Sequence, residues 1–174
     1  MHPDAAATGN WQAGEISLTA SELNIGLPAH HSRRVPVAVK TDYITVSSRG
    51  SRDVIDLTPG LRNIIGRHGL ADGIAVVFSP GSTAGVTTIE YEPGLRKDID
   101  IFLEKLAPYG GTYHHHETWH DDNGSSHLQA ALIGPSVAVP VVGGEPSLGT
   151  WQQVVLIDCD TRPRTREIVV QLVY

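Results

Sequence analysis

Five of the nine histidines fall in one short stretch, as His114, His115, His116, His120 and His127. Glu117, Asp121, Asp122 and Asn123 lie among them. Imidazole titrates near neutral pH and is the commonest protein metal ligand, and a carboxylate can complete or orient such a shell. The chemistry to expect is therefore metal binding. On an extended chain His114 and His116 share a face and His115 takes the other. Only part of the triplet can then face one ion. A polar surface loop with idle histidines is the competing reading. The return of His127 at the start of a helix whose other face is apolar favours a site. The spacing matches no standard zinc signature, so a divalent ion is expected with Zn and Mg both open.

Three further groups could work beside the histidines. Pro80-Gly81-Ser82-Thr83-Ala84-Gly85 follows an apolar strand, and small residues there can turn main-chain N–H groups toward an anion. It lacks the Gly-Lys-Ser/Thr ending of a phosphate-binding P-loop, and an ordinary turn reads equally well. Glu90 shares a strand face with Thr88 and Glu92. Its carboxylate must be paired or metal-bound if it points inward, and otherwise faces water. Asp158, Asp160, Arg162, Arg164 and Arg166 make a charged hairpin. Arginine can grip phosphate with two prongs, but surface ion pairs suffice for Arg162 and Arg164 is open between the two. Cys159 lies in an apolar strand and reads as a buried structural thiol.

These residues need elements to position them. Val35–Val39 and Tyr43–Val46 alternate as strands, and Asp53–Leu57 is extended. Thr58-Pro59 opens a helix with a capping hydroxyl, and Gly69 ends it. Gly73–Phe78 and Ala84–Tyr91 are strands. Glu92-Pro93 opens a second helix whose apolar stripe is Leu95, Ile99, Phe102, Leu103 and Leu106. The His-rich segment reads as a loop leading to a short helix over Ser126–Ile133. Ser136–Val142, Thr150–Asp158 and Arg166–Tyr174 close the chain as strands, with Gly143-Gly144 turning between the first two. The order predicts an α+β fold of mostly antiparallel sheets packed with two main helices and a short third. Residues 1–34 read as a partly flexible extension and 35–174 as a single domain.

The chain has 174 residues, 40% of them hydrophobic and 18% charged, which suits a globular domain. A net charge of −6 argues against general nucleic-acid binding. No apolar run approaches the roughly 20 residues of a membrane span. With no signal pattern at the N-terminus, a cytoplasmic setting is expected.

Taken together these segments resemble the YjbQ family, often labelled secondary thiamine-phosphate synthase. The resemblance rests on Ser136-Val-Ala-Val139-Pro-Val141 leading through Gly144 to Gly149-Thr150-Trp151-Gln152-Gln153. It extends to Tyr113-x-His115, Asn123-Gly-Ser-Ser-His127, Arg162-Pro-Arg164-x-Arg166, Ser82-Thr83-Ala84, Glu90 and Pro93. It implies a homotrimer with a pocket near the subunit boundary. It also implies that His115 and His127 are the functional histidines, with Glu90 and Arg164 close by. One departure stands out: many relatives carry His where this chain has Gly81, so this chain either does without that imidazole or uses His116 or His120. On this footing the expected catalytic groups are Glu90, Arg164, His115 and His127. Ser82, Thr83 and Asn123 are expected to bind the ligand, and His115, His127 and His120 a metal. The expected function is a metal-assisted reaction on a small phosphorylated molecule, with thiamine-phosphate synthase-like transfer as a secondary activity. The alternative is a trimer that binds metal or ligand without turnover.

Overall fold

The computed structural model describes residues 37–174. The extension expected over residues 1–34 lies outside them. Eight strands and four helices follow in the order β1 (Val39–Ser48), β2 (Asp53–Asp56), α1 (Thr58–His68), β3 (Gly73–Phe78), β4 (Ala84–Ile89), α2 (Pro93–Leu106), α3 (His114–Trp119), α4 (Gly124–Ile133), β5 (Ser136–Val142), β6 (Glu145–Pro146), β7 (Gln153–Asp158) and β8 (Arg164–Val173). The strands form two antiparallel sheets, one ordered β1-β8-β3-β5-β6 and the other β2-β7-β4. The fold is α+β, as expected. No helix among the described residues is long and apolar enough to cross a membrane.

Strand β7 organises the packing. Its even-numbered Val154 and Leu156 join α1 and the inner face of the larger sheet in the main core. Its odd-numbered Val155 and Ile157, followed by Cys159, join Val54 and Leu103 of α2 in a second core. A strand alternates sides residue by residue, so β7 is covered on both faces and carries an unbroken apolar run. Cys159 is fully buried, and burial pushes its thiol up to about 12, which keeps it neutral and inert.

Several local expectations are met by a different device. Thr58 does not cap α1, whose N-cap is Leu57; the Asp56 carboxylate accepts the Thr58 N–H at 2.8 Å instead. The buried Thr58 hydroxyl accepts the Val154 N–H at 3.0 Å, tying helix to strand. Gly69 ends α1 in the left-handed conformation, and the Glu92 carboxylate caps α2 by accepting the Gly94 and Leu95 N–H groups. Only part of the α2 stripe is covered, because Phe102 and Leu106 are more than half exposed while Leu103 is buried. Leu95, Ile99 and Leu103 follow one line at four-residue steps, and Phe102 and Leu106 lie on the next line round the helix.

The two short strands expected near the start are one ladder. Ten residues of β1 pair with β8, and that pairing carries the chain through the polar Thr41-Asp42. Asp42 also accepts from Arg67 at 2.5 Å and lies 2.8 Å from His68 Nε2. At the far edge Gly143 and Gly144 take positive φ values of 59° and 84°, which suit a two-residue hairpin. That turn adds the two-residue strand β6, ending in Pro146.

Replacing Thr58 with Val keeps the shape and removes the acceptor for a buried N–H. Thr58→Val should lower unfolding stability by about 1–3 kcal/mol in urea titration, and Thr58→Ser by clearly less. Equal stability of the two variants would contradict this account of the helix–strand tie.

Candidate functional site

The His-rich segment is helical where a loop was expected. His114–Trp119 form α3, and His120 closes it in the left-handed conformation. Its six residues are too few to hold a helix by themselves. Contacts to the next helix hold it. His116 Nε2 accepts the Gly124 N–H at 3.2 Å, and the His116 ring meets Tyr113 edge-on at 5.5 Å. A Cβ on Gly124 would lie 2.7 Å from that of Tyr113, so the first residue of α4 must be small. Histidines at 114 to 116 therefore fan round a helix instead of alternating.

This junction brings His115 of α3 against His127 of α4. Their ring centroids are 4.4 Å apart with planes tilted by 50°. His115 Nε2 lies 3.5 Å from an Asp121 carboxylate oxygen. With the Asn123 amide turned so that its nitrogen faces acceptors, that nitrogen is 3.1 Å from His115 Nε2 and 3.0 Å from Asp121 Oδ1. His127 lines two hollows. One, of about 240 Å³, has Gly81, Ser82 and Ala130 in its wall. The other, of about 390 Å³, has Tyr113, His115 and Leu128.

Burial, and then the neighbouring His115, hold the His127 pKa below its ordinary value near 6.5. Asp121, Asp160 and the Ser82 main chain oppose that shift only partly. At pH 7 His127 is neutral, able to accept a proton or a metal.

Behind the Ser82 turn lies a buried ionic network. Arg166 grips Asp158 with two prongs, Nη2 at 2.6 Å and Nε at 2.8 Å. Arg166 Nη2 also donates to the Thr83 hydroxyl at 3.0 Å, which donates to Asp160 at 3.1 Å. Arg164 Nε donates to the same Asp160 oxygen at 2.8 Å, and the other Asp160 oxygen is buried with no hydrogen-bond partner. Burial raises the Asp160 pKa, but Arg164 and Thr83 outweigh it and hold the carboxyl below its usual range.

The matches to known chains come from this same stretch of fold. The family described as UPF0047 protein YjbQ-like matches residues 42–174. The chain belongs to the YjbQ family. A UPF0047 protein of Archaeoglobus fulgidus is 38% identical over 128 residues, 74% of this chain and 97% of that protein. One from Mycobacterium tuberculosis is 41% identical over 119 residues, covering 68% and 86%. Among solved structures, a YbjQ-like protein of unknown function from Sulfolobus solfataricus is similar with a TM-score of 0.74 at 30% identity, covering 79% of this chain and 99% of its own. A hypothetical protein of Aeropyrum pernix reaches 0.71 at 36% identity, covering 78% and 98%.

Within this YjbQ chain the expected residues divide. His115, His127 and Asn123 come together, with Ser82 beside His127. His120 is exposed at the end of α3 and lines neither hollow. Among the described residues no group of three or more His, Cys, Asp or Glu side chains is disposed to hold a metal. Two imidazoles fall short of the three protein ligands typical of a catalytic zinc. The buried Thr83 hydroxyl lies between Arg166 and Asp160, with its one O–H donated to the Asp160 carboxylate. Glu90 is exposed beyond the far end of β4, in a depression with Trp151 and Gln152. It stands six residue steps from Ala84 along an extended chain, about 20 Å, so the carboxylate beside the imidazoles within one chain is Asp121.

Asp121, Asp160 and Arg166 stand in or behind the site beyond the residues expected there from sequence. Their signal was present in the Asp121-Asp122 pair and the charged hairpin, but burial decides their role. His115→Ala removes one cause of the lowered His127 pKa and should raise the His127 titration midpoint in NMR. In the parent chain the folded state binds fewer protons than the unfolded state below about pH 6.5. The stability this shift reflects is therefore full above pH 6.5 and falls as the pH drops through the His127 midpoint. A midpoint unmoved by His115→Ala would show that the two rings do not sense one another.

Proposed function

We propose that the face formed by His115, His127, Ser82 and Arg164 binds a small phosphorylated molecule and that this protein is a transferase acting on it. The observation that carries the reading is the neutral His127 ring beside the Ser82 turn, with the Arg164–Asp160 network behind it. Only Nε of Arg164 is hydrogen-bonded among the described residues, so its terminal amino groups are available to phosphate oxygens. Neutral His127 keeps one ring N–H to donate to a phosphate oxygen, while its other ring nitrogen is free to take a metal.

The reaction class we favour is thiamine-phosphate synthase-like, as a secondary activity. There the thiazole nitrogen forms a bond to the pyrimidine methylene as the bond from that carbon to diphosphate oxygen breaks. In this reading the charge on the leaving diphosphate is met by Arg164. A divalent metal, Zn or Mg, joins this reading as a partner of His115 and His127. We place its missing ligands on the substrate or on a neighbouring subunit of a homotrimer. Glu90 would reach the reacting centre only from such a neighbour. The second reading, a ligand-binding trimer without turnover, draws support from the distance of Glu90 from the imidazoles within one chain. In either reading the setting is cytoplasmic.

Purified protein incubated with the aminopyrimidine diphosphate and thiazole phosphate, with and without Zn or Mg, should form thiamine phosphate. His127→Ala should slow formation by about 100-fold or more. Product formation that His127→Ala leaves unchanged would remove the imidazole from the reaction. If no product forms while phosphorylated ligands still bind and lose affinity in His127→Ala, the binding reading stands alone.

A further inference from the structure

A hollow larger than either of those at the imidazoles lies elsewhere on the described surface. It lies between the turn at 49–53 and the first two turns of α2, and encloses about 550 Å³. Its charged lining is Arg49, Arg52, Arg96 and Lys97 with Asp53 and Asp100. Four cations less two carboxylates leave +2 in the wall of a chain whose total is −6. Both carboxylates are already engaged. Asp53 accepts from Arg49 at 2.7 Å, and Asp100 accepts from Arg52, which also donates to Glu104 at 2.8 Å and stacks over Tyr109 at 4.1 Å.

Arg96 and Lys97 have no ion pair among the described residues. The Arg96 guanidinium lies over the Tyr91 ring, 4.7 Å from its centroid, and its Nε is buried without a hydrogen-bond partner. The terminal amino groups of Arg96 make no hydrogen bond among the described residues and, unlike Nε, are not buried, so they can meet an oxyanion in the hollow. The wall opposite is fixed, because the Ser51 N–H donates to the Asp160 main-chain oxygen at 2.7 Å. None of the lining residues belongs to the hollows at His127.

We infer that this hollow is a second anion site, which takes the dianionic phosphate group of a phosphate monoester on Arg96 and Lys97. The two cations without partners match the two charges of that group, and the planar Arg96, held on Tyr91, presents its edge to the oxygens. Arg49 and Arg52 set the positive field and stay with their carboxylates.

The probe is inorganic phosphate, titrated into the full chain by calorimetry and followed by the Nε–H resonances of arginine. One Arg Nε–H signal should shift on binding and be absent in Arg96→Gln. Arg96→Gln and Lys97→Gln should each weaken phosphate at this site by about tenfold, while His127→Ala leaves it unchanged. Lys97 is exposed, so its variant tests the site without disturbing packing. The inference is overturned if millimolar phosphate does not bind. It is equally overturned if both Gln variants bind as the parent does, or if binding is lost in His127→Ala. That last result would put phosphate at the imidazole face and leave the proposed function standing.

Discussion

A carboxylate with no solvent must have a cation, and that requirement shapes one end of this fold. Asp158 closes β7 fully buried, and Asp160 follows it at 2% exposure. Removing one partner from such a pair typically costs about 3–5 kcal/mol. Arg166, reaching in from β8, answers Asp158, and Thr83 passes the contact on to Asp160. The network thereby joins the larger sheet to the smaller one through side chains. The turn after β3, which carries Ser82, is held beside His127.

The His pair obeys a related constraint. Two partly buried imidazoles in contact cannot both carry charge comfortably, and the nearest carboxylate, Asp121, sits on the His115 side. The asymmetry separates their roles. His115 is oriented by Asp121 and Asn123, while His127 faces both hollows with less support and a depressed pKa.

Much of this was legible in the chain. The helix start at Glu92-Pro93, the stop at Gly69 and the apolar run of β7 are local signals, and the structure uses each. The convergence of His115 and His127 agrees with the segment singled out by its histidines. The helix α3 was not legible, because three successive histidines carry no helical pattern and the His116–Gly124 contact that stabilises them is tertiary. The carboxylate beside the imidazoles within one chain was hidden for a similar reason. Glu90 stands near Ser82 in sequence, yet an extended strand carries it away, whereas Asp121 is returned by the bend between two helices. The charged hairpin was visible as composition, but its depth follows from cross-strand register.

The larger sheet ends differently on its two sides. On one side β6 is two residues long and stops at Pro146, which has no N–H to offer a further strand. On the other, β1 carries Lys40 and an Asp42 already bound by Arg67 and His68. Short length, proline and charge are the means by which sheets resist lateral addition. Among the described residues, strand addition to this sheet is therefore discouraged at both of its rims.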